Sequence, residues 1–201
     1  MIYIARHGQT DWNLERKIQG QIDVPLNKTG RQEAVMCGKQ LSSVKIDKIV
    51  SSDLSRATET ANIINESLSL SLPVNIDTRL KELNCGNLEG KVLEKEVPWH
   101  TFINDLDKFH SEPLTDFYNR LKSFFEETDA SKNTLVVTHT GVVKMIMYLA
   151  NNPNSYNKDD FEKIASEFKV KNGDIFTWDK VQKLQLFTKE LLVKNLKSLE
   201  Y

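Results

Sequence analysis

Short apolar runs that stop abruptly at polar clusters, with a helical stripe behind each, constrain this chain more than any other feature. Ile2-Tyr3-Ile4-Ala5 is rich in strand formers and ends at Arg6-His7-Gly8-Gln9-Thr10. Lys48-Ile49-Val50 runs into Ser51-Ser52-Asp53, after which Ala57, Ala61, Ile63 and Ile64 recur at helical spacing. Leu135-Val136-Val137-Thr138 meets His139-Thr140-Gly141 and the apolar stretch Val142 to Ala150, and Pro73-Val74-Asn75-Ile76 reads as a further strand. Strand-then-helix alternation predicts an α/β fold: a three-layer α/β/α sandwich around a mostly parallel central sheet.

Thr29 with Gln32 matches a capping box, and Ala34, Val35, Gly38 and Leu41 continue it as a helix. Phe117, Leu121, Phe124 and Phe125 share one helical face, so their aromatic rings belong to the core. Ile175-Phe176-Thr177-Trp178 reads as a last edge strand, and residues 183–199 as a Lys-rich amphipathic helix. Lys91 to Pro113, and the Asn- and Asp-rich stretch of residues 151–174 broken by Pro153, are assigned no element.

With 201 residues and no linker or repeat, the chain fits one domain over 1–201. Its 27 Lys and Arg against 28 Asp and Glu give no global pull toward nucleic acid or anionic lipid, so neither is an expected partner and any basic site must be local. Cys37 and Cys85 form no CxxC pair and read as free thiols in a reducing compartment. No segment approaches the ~18 apolar residues of a membrane span, and Arg6-His7 interrupts the first apolar run too early for a signal peptide. A soluble cytoplasmic protein, monomer or homodimer, is expected.

Neither GxxxxGK[ST] nor GxGxxG occurs, which removes the usual nucleotide cradles. Instead Arg6 and His7, Arg56, and His139 each follow a strand, where an open α/β sheet places its ligand crevice. Any one of them alone would have an ordinary surface or packing explanation; two arginines and two histidines at strand exits do not. Guanidinium forks match phosphate oxygens, and first-turn amides add partial positive charge. Such charged hydrogen bonds contribute ~1.5–3 kcal/mol each, enough to hold a dianion but not to break its ester. A nucleophile is still required, and His7 fits it, because neighbouring cations favour the neutral imidazole that can accept a phosphoryl group.

Arg6-His7-Gly8-Gln9-Thr10 with Trp12-Asn13 resembles the signature of the histidine phosphatase superfamily, the phosphoglycerate-mutase-like proteins. The resemblance continues through Gln19-Gly20, Asp23-x-Pro25-Leu26 and Thr29-Gly30, then Ser51-Ser52-Asp53-Leu54-Ser55-Arg56-Ala57 with Thr60-Ala61. It extends over Leu80-x-Glu82-Leu83 with Gly86 and Glu89-Gly90, and over Val137-Thr138-His139-Thr140-Gly141. It implies that His7 accepts the phosphoryl group, that Arg6, Arg56, His139 and Asn13 bind its oxygens, and that Glu82 is the general acid and then the base. Gln19, Gly20 and Thr140 become candidates for substrate contact. The family chemistry implies no metal and no cofactor, and a small phosphate ester as substrate.

Two positions depart from the family pattern: Thr140 stands where glycine is common, adding a side chain beside the phosphate pocket, and Cys85 where an aromatic is common. Mutases of this family carry a basic insertion after the acid loop, whereas no arginine occurs between Arg79 and Arg120 and Lys81, Lys91, Lys95 and Lys108 are scattered among acids. Glu112, Asp116 and Arg120 resemble a segment of the bacterial phosphatase branch that includes α-ribazole phosphatase, although Ser111 replaces its usual glycine. A phosphomonoester phosphatase is therefore expected, with a phosphoglycerate mutase and an inactive phosphate-binding module as the alternatives. Trp99, His100 and His110, in the unassigned middle, are further pocket candidates.

Overall fold

The computed structural model describes residues 1–92, 106–178 and 185–186. In chain order it contains β1 (Ile2–Arg6), α1 (Asp11–Leu14), α2 (Lys28–Gln40), β2 (Lys48–Ser51), α3 (Ser55–Ser67) and β3 (Val74–Ile76). Then follow α4 (Leu114–Glu127), β4 (Thr134–Thr138), α5 (Thr140–Asn151), α6 (Lys158–Glu167), β5 (Ile175–Trp178) and β6 (Gln185–Leu186). The sheet runs β3-β2-β4-β1-β5-β6, with the first four strands parallel, β5 antiparallel to β1 and β6 antiparallel to β5. Among the described residues no helix is long and apolar enough to cross a membrane.

Side chains alternate across β1, β2, β4 and β5 and divide the core in two. Ile2, Ile4, Val50, Val136 and Phe176 pack with Phe117 and Leu121 of α4, Val142 and Ile146 of α5, and Phe161 of α6. Ala5, Ile49, Leu135, Val137 and Ile175 face the other way, onto Cys37 and Leu41 and onto Ala57, Ala61 and Ile64 of α3. Helices thus cover both faces, as the three-layer expectation requires. Every residue of β4 is buried, which is why its sequence carries no polar alternation.

Three local expectations need correction. The cap of α2 is Asn27, whose side chain accepts from Gly30 N, so Thr29 lies inside the helix rather than before it. The Asn27 amide spans to the third helical N–H, and its own N–H donates to Gln9 O at 3.0 Å, anchoring the helix start to the loop after β1. Polar residues 151–174 hide α6: Asn157 caps it, Asp159 and Asp160 occupy the first turn, and Phe161 and Ala165 are its buried face. Gln185 and Leu186, expected to be helical, instead pair with β5; the rest of the expected C-terminal helix lies outside the described residues.

Backbone contact fixes the loop that carries His7 against α2. A Cβ on Gly8 would lie 2.2 Å from Gly30 O, and one on Gly30 would lie 2.1 Å from Gln9 O. Backbone cannot yield as a side chain can, so both positions exclude larger residues. Gly30→Ala should lower unfolding stability by about 1–3 kcal/mol in urea titration. Val35→Ala, at an exposed site on the same helix, should change it by less than about 0.5 kcal/mol. Equal midpoints for Gly30→Ala and the parent would contradict this packing.

Candidate active site

The exits of three adjacent parallel strands build the site. His7 follows β1, and its N–H donates to Thr138 O at 2.9 Å, extending the β1–β4 ladder by one bond. Ser52 does the same on the other flank, donating to Val137 O at 3.1 Å. His139 is the N-cap residue of α5, and Arg56 lies in the first turn of α3. Thr60 ties two of these pieces together, accepting from Gly8 N at 3.1 Å and donating to Arg56 O at 2.7 Å.

His7 Nδ1 lies 2.7 Å from Gly8 O. A carbonyl oxygen can only accept, so Nδ1 carries the proton and Nε2 keeps its lone pair. Burial first, then the charges of Arg6 and Arg56, push the His7 pKa well below its ordinary value, so the ring is neutral at pH 7. The His139 ring sits 5.1 Å away between centroids, and burial with Arg56, His7 and Arg6 lowers its pKa in the same way.

Neither arginine forms a salt bridge among the described residues. Arg56, fully buried, donates from Nη1 to Ile22 O at 2.9 Å and from Nη2 to Gly20 O at 2.8 Å. Arg6 donates from Nη1 to Val170 O at 2.7 Å. Burial pushes the Arg6 guanidinium down to about 10, while Glu82, Asp174 and Glu33 act in the opposite direction. Both Nε atoms are buried without a hydrogen-bond partner in the described structure, so each guanidinium retains donor capacity.

Glu82 reaches the same cavity from the loop after β3. Its Oε1 accepts from Leu83 N at 2.9 Å and its Oε2 from Gly141 N at 3.0 Å. A Cβ on Gly141 would lie 2.3 Å from Glu82 Oε1, so a larger residue there would displace the carboxylate from this position. Arg120 holds the loop from below, donating to Lys81 O at 2.8 Å, Glu82 O at 3.1 Å and Arg79 O, and clasping Glu112 with Nε and Nη2 at 2.6 and 2.9 Å. Glu89 Oε1 accepts from Gln21 N and Cys85 N, both at 2.9 Å, and joins the acid loop to the loop that carries Gly20.

His7, Arg6, Arg56 and Glu82 line a cavity of about 270 Å³. Of the residues expected to act on or bind the phosphate ester, its walls include Arg6, His7, Asn13, Gln19, Gly20, Arg56, Glu82 and Thr140 but not His139. His139 is fully buried next to His7, with its Nδ1 unpartnered in the described structure. Asn13 Oδ1 is occupied by Thr10 N at 3.0 Å and Asn172 Nδ2 at 3.2 Å, which fixes which end of its amide is acceptor. His110 is exposed and lies outside the cavity wall, correcting its candidacy, while Trp99 and His100 lie outside the described residues.

The sequence reading missed Lys17, Ile18, Leu83 and Lys144 as wall residues. Lys144 follows Thr140 by one helical turn, a spacing that could have revealed it; its Nζ donates to Ala165 O, and burial lowers its pKa. Lys17 pairs with Glu15 at 2.6 Å and sits over the Trp12 ring, contacts that no local pattern announces. Cys85 is a buried free thiol in the wall, its pKa pushed up by burial.

The depressed imidazoles make a stability prediction. With native pKa values below the unfolded value, only the unfolded chain takes up protons as pH falls through about 6.5, so stability drops on acidification, by up to ~1.4 kcal/mol per pH unit for each ring. Urea titrations from pH 7.5 to 5 should therefore show a shallower acid loss for His7→Gln and His139→Gln than for the parent. Identical slopes would mean that the rings are not held neutral.

Known proteins resemble this chain in sequence and in fold. The model of the histidine phosphatase superfamily (branch 1) matches residues 2–164. A "probable phosphoglycerate mutase GpmB" from Salmonella choleraesuis (strain SC-B67) is 42% identical over 102 residues, which is 49% of this chain and 46% of that protein. The match thus spans about half the length of such curated relatives. Among solved structures, a mycobacterial glucosyl-3-phosphoglycerate phosphatase in complex with VO3 superimposes with a TM-score of 0.74 at 25% identity, covering 93% of this chain and 97% of that one. TTHB049 from Thermus thermophilus gives 0.71 at 24% identity, covering 93% and 98%, a likeness of fold. Family match and site together place the chain in the histidine phosphatase superfamily, branch 1.

Proposed function

We propose that the protein is a metal-independent phosphomonoester phosphatase working through a phosphohistidine on His7. The observation that carries this reading is the 2.7 Å contact from His7 Nδ1 to Gly8 O, which leaves Nε2 unprotonated beside two guanidinium groups. In the first step Nε2 attacks phosphorus, the phosphorus–ester oxygen bond breaks, and Glu82 gives its proton to the departing alkoxide. In the second, Glu82 takes a proton from water as that water attacks phosphohistidine, and inorganic phosphate leaves with the lone pair restored to Nε2. Arg6, Arg56, Asn13 and His139 hold the phosphoryl oxygens throughout. Phosphoryl transfer gains mainly from positioning and charge stabilisation, the two things this cavity offers.

The cavity size suits a small phosphorylated metabolite, such as a sugar phosphate or α-ribazole 5′-phosphate, with Gln19, Gly20 and Thr140 as substrate contacts. The VO3 complex of the mycobacterial relative, an oxyanion complex, supports the choice of guest. Lys17 and Lys144 in the wall favour a second reading, phosphoglycerate mutase, because they supply cations that the stretch between Arg79 and Arg120 lacks; the Salmonella relative's name points the same way.

Hydrolysis of p-nitrophenyl phosphate should survive excess chelator and vanish in His7→Ala. Absence of turnover by folded parent protein would instead support a binding module. Interconversion of 3- and 2-phosphoglycerate primed with 2,3-bisphosphoglycerate would establish the mutase reading. Glu82→Gln should slow alkyl phosphates by roughly 10²–10⁴ but nitrophenyl phosphate far less, since nitrophenolate hardly needs a proton. Equal losses on both esters would remove Glu82 from the acid role.

A further inference from the structure

His139 is buried, and its two ring nitrogens have different surroundings. Nε2 lies 2.9 Å from Ser52 Oγ, whereas Nδ1 has no partner in the described structure. Ser52 Oγ in turn accepts a hydrogen bond from Leu54 N at 3.3 Å. Ser52 is itself fully buried, and its backbone is pinned on both sides: its N–H donates to Val137 O, and its carbonyl accepts from Thr58 Oγ1 and Ser51 Oγ, both at 2.9 Å.

A hydroxyl has one proton, and two arrangements are possible. If His139 carried its proton on Nε2, that proton would go to Ser52 Oγ. The Ser52 hydroxyl proton would then have no acceptor among the described contacts. If the proton is on Nδ1, the chain closes: Leu54 N–H to Ser52 Oγ, Ser52 O–H to His139 Nε2, and Nδ1–H left as the free donor. Buried polar groups are satisfied wherever geometry allows, and which nitrogen of a histidine is protonated is set by the bond that the other one makes.

We propose that Ser52 is a positioning residue that holds His139 in its Nδ1–H tautomer, so that the ring meets a phosphoryl oxygen with a donor while staying uncharged. The inference rests on the phosphatase reading for its consequence, but the tautomer itself does not. Removal of the hydroxyl would free His139 to place its proton on either nitrogen, and the fraction with a lone pair facing the anion would be unproductive.

Long-range ¹H–¹⁵N spectra of the 201-residue chain at pH 7 read the tautomer directly, with the His139 signals assigned by their loss in His139→Asn. The parent should show Nδ1 protonated and Nε2 as the acceptor. Ser52→Ala should shift His139 toward Nε2–H or a mixture, and should lower kcat on p-nitrophenyl phosphate roughly 10–100-fold, as expected when an orienting partner is lost. An Nε2–H parent would overturn the proposal even if Ser52→Ala failed to fold. So would a folded Ser52→Ala whose tautomer is unchanged, whatever its activity. If the parent lacks turnover altogether, the phosphatase reading fails while the tautomer measurement still decides the role of Ser52.

Discussion

Two buried guanidinium groups without a carboxylate partner among the described residues set the terms for the rest of this molecule. Removing such a charge from water costs several kcal/mol unless it is compensated, and here the compensation comes from main-chain carbonyls: Gly20 O and Ile22 O for Arg56, Val170 O for Arg6. That choice leaves each guanidinium without a carboxylate in direct contact, although Glu82 acts on both from a distance. Burial first, and the positive potential of the two guanidinium groups after it, lowers both imidazole pKa values and holds the rings neutral. An ion pair would have been easier to bury, but it would have cancelled the field that the site needs.

Carbonyl support requires that the loops carrying those carbonyls be fixed, which explains the polar staples around the cavity. Glu89 binds Gln21 N, and Gln21 Nε2 donates to Glu82 O at 3.0 Å, so the loop that serves Arg56 also bears on the acid loop. Asp23 Oδ1 accepts from Ser55 N at 2.7 Å, which compensates for the missing side-chain cap at the start of α3. Arg120 and Glu112 secure the acid loop from the opposite side. Glu82 is thereby set at the start of α5, where the missing Cβ at Gly141 leaves room for its carboxylate in this position.

Much of this could be read from sequence, for a physical reason: strands buried on both faces are written as apolar runs, and the charged residues that end them stand out. Arg6, His7, Arg56 and His139 were legible in that way. Glu82 was not, since a loop carboxylate carries no periodicity; only the family resemblance singled it out. The parts that escaped depend on contacts between distant segments. Asn27 outcompeted Thr29 as the cap because the neighbouring loop anchors it, and α6 was hidden because its polar face and its cap look like loop. Lys17, Lys144 and Ser52 acquire their place only once the strands are aligned.

Everything returns to the lone pair on His7 Nε2. Rapid acid-free quenching during turnover of a phosphate ester, followed by peptide mass spectrometry, looks for that bond itself. Transient phosphorylation of the peptide containing His7, at the nitrogen remote from the ring's point of attachment, is the predicted result. A phosphorylated residue elsewhere, or turnover with no covalent adduct at any time point, would contradict the account.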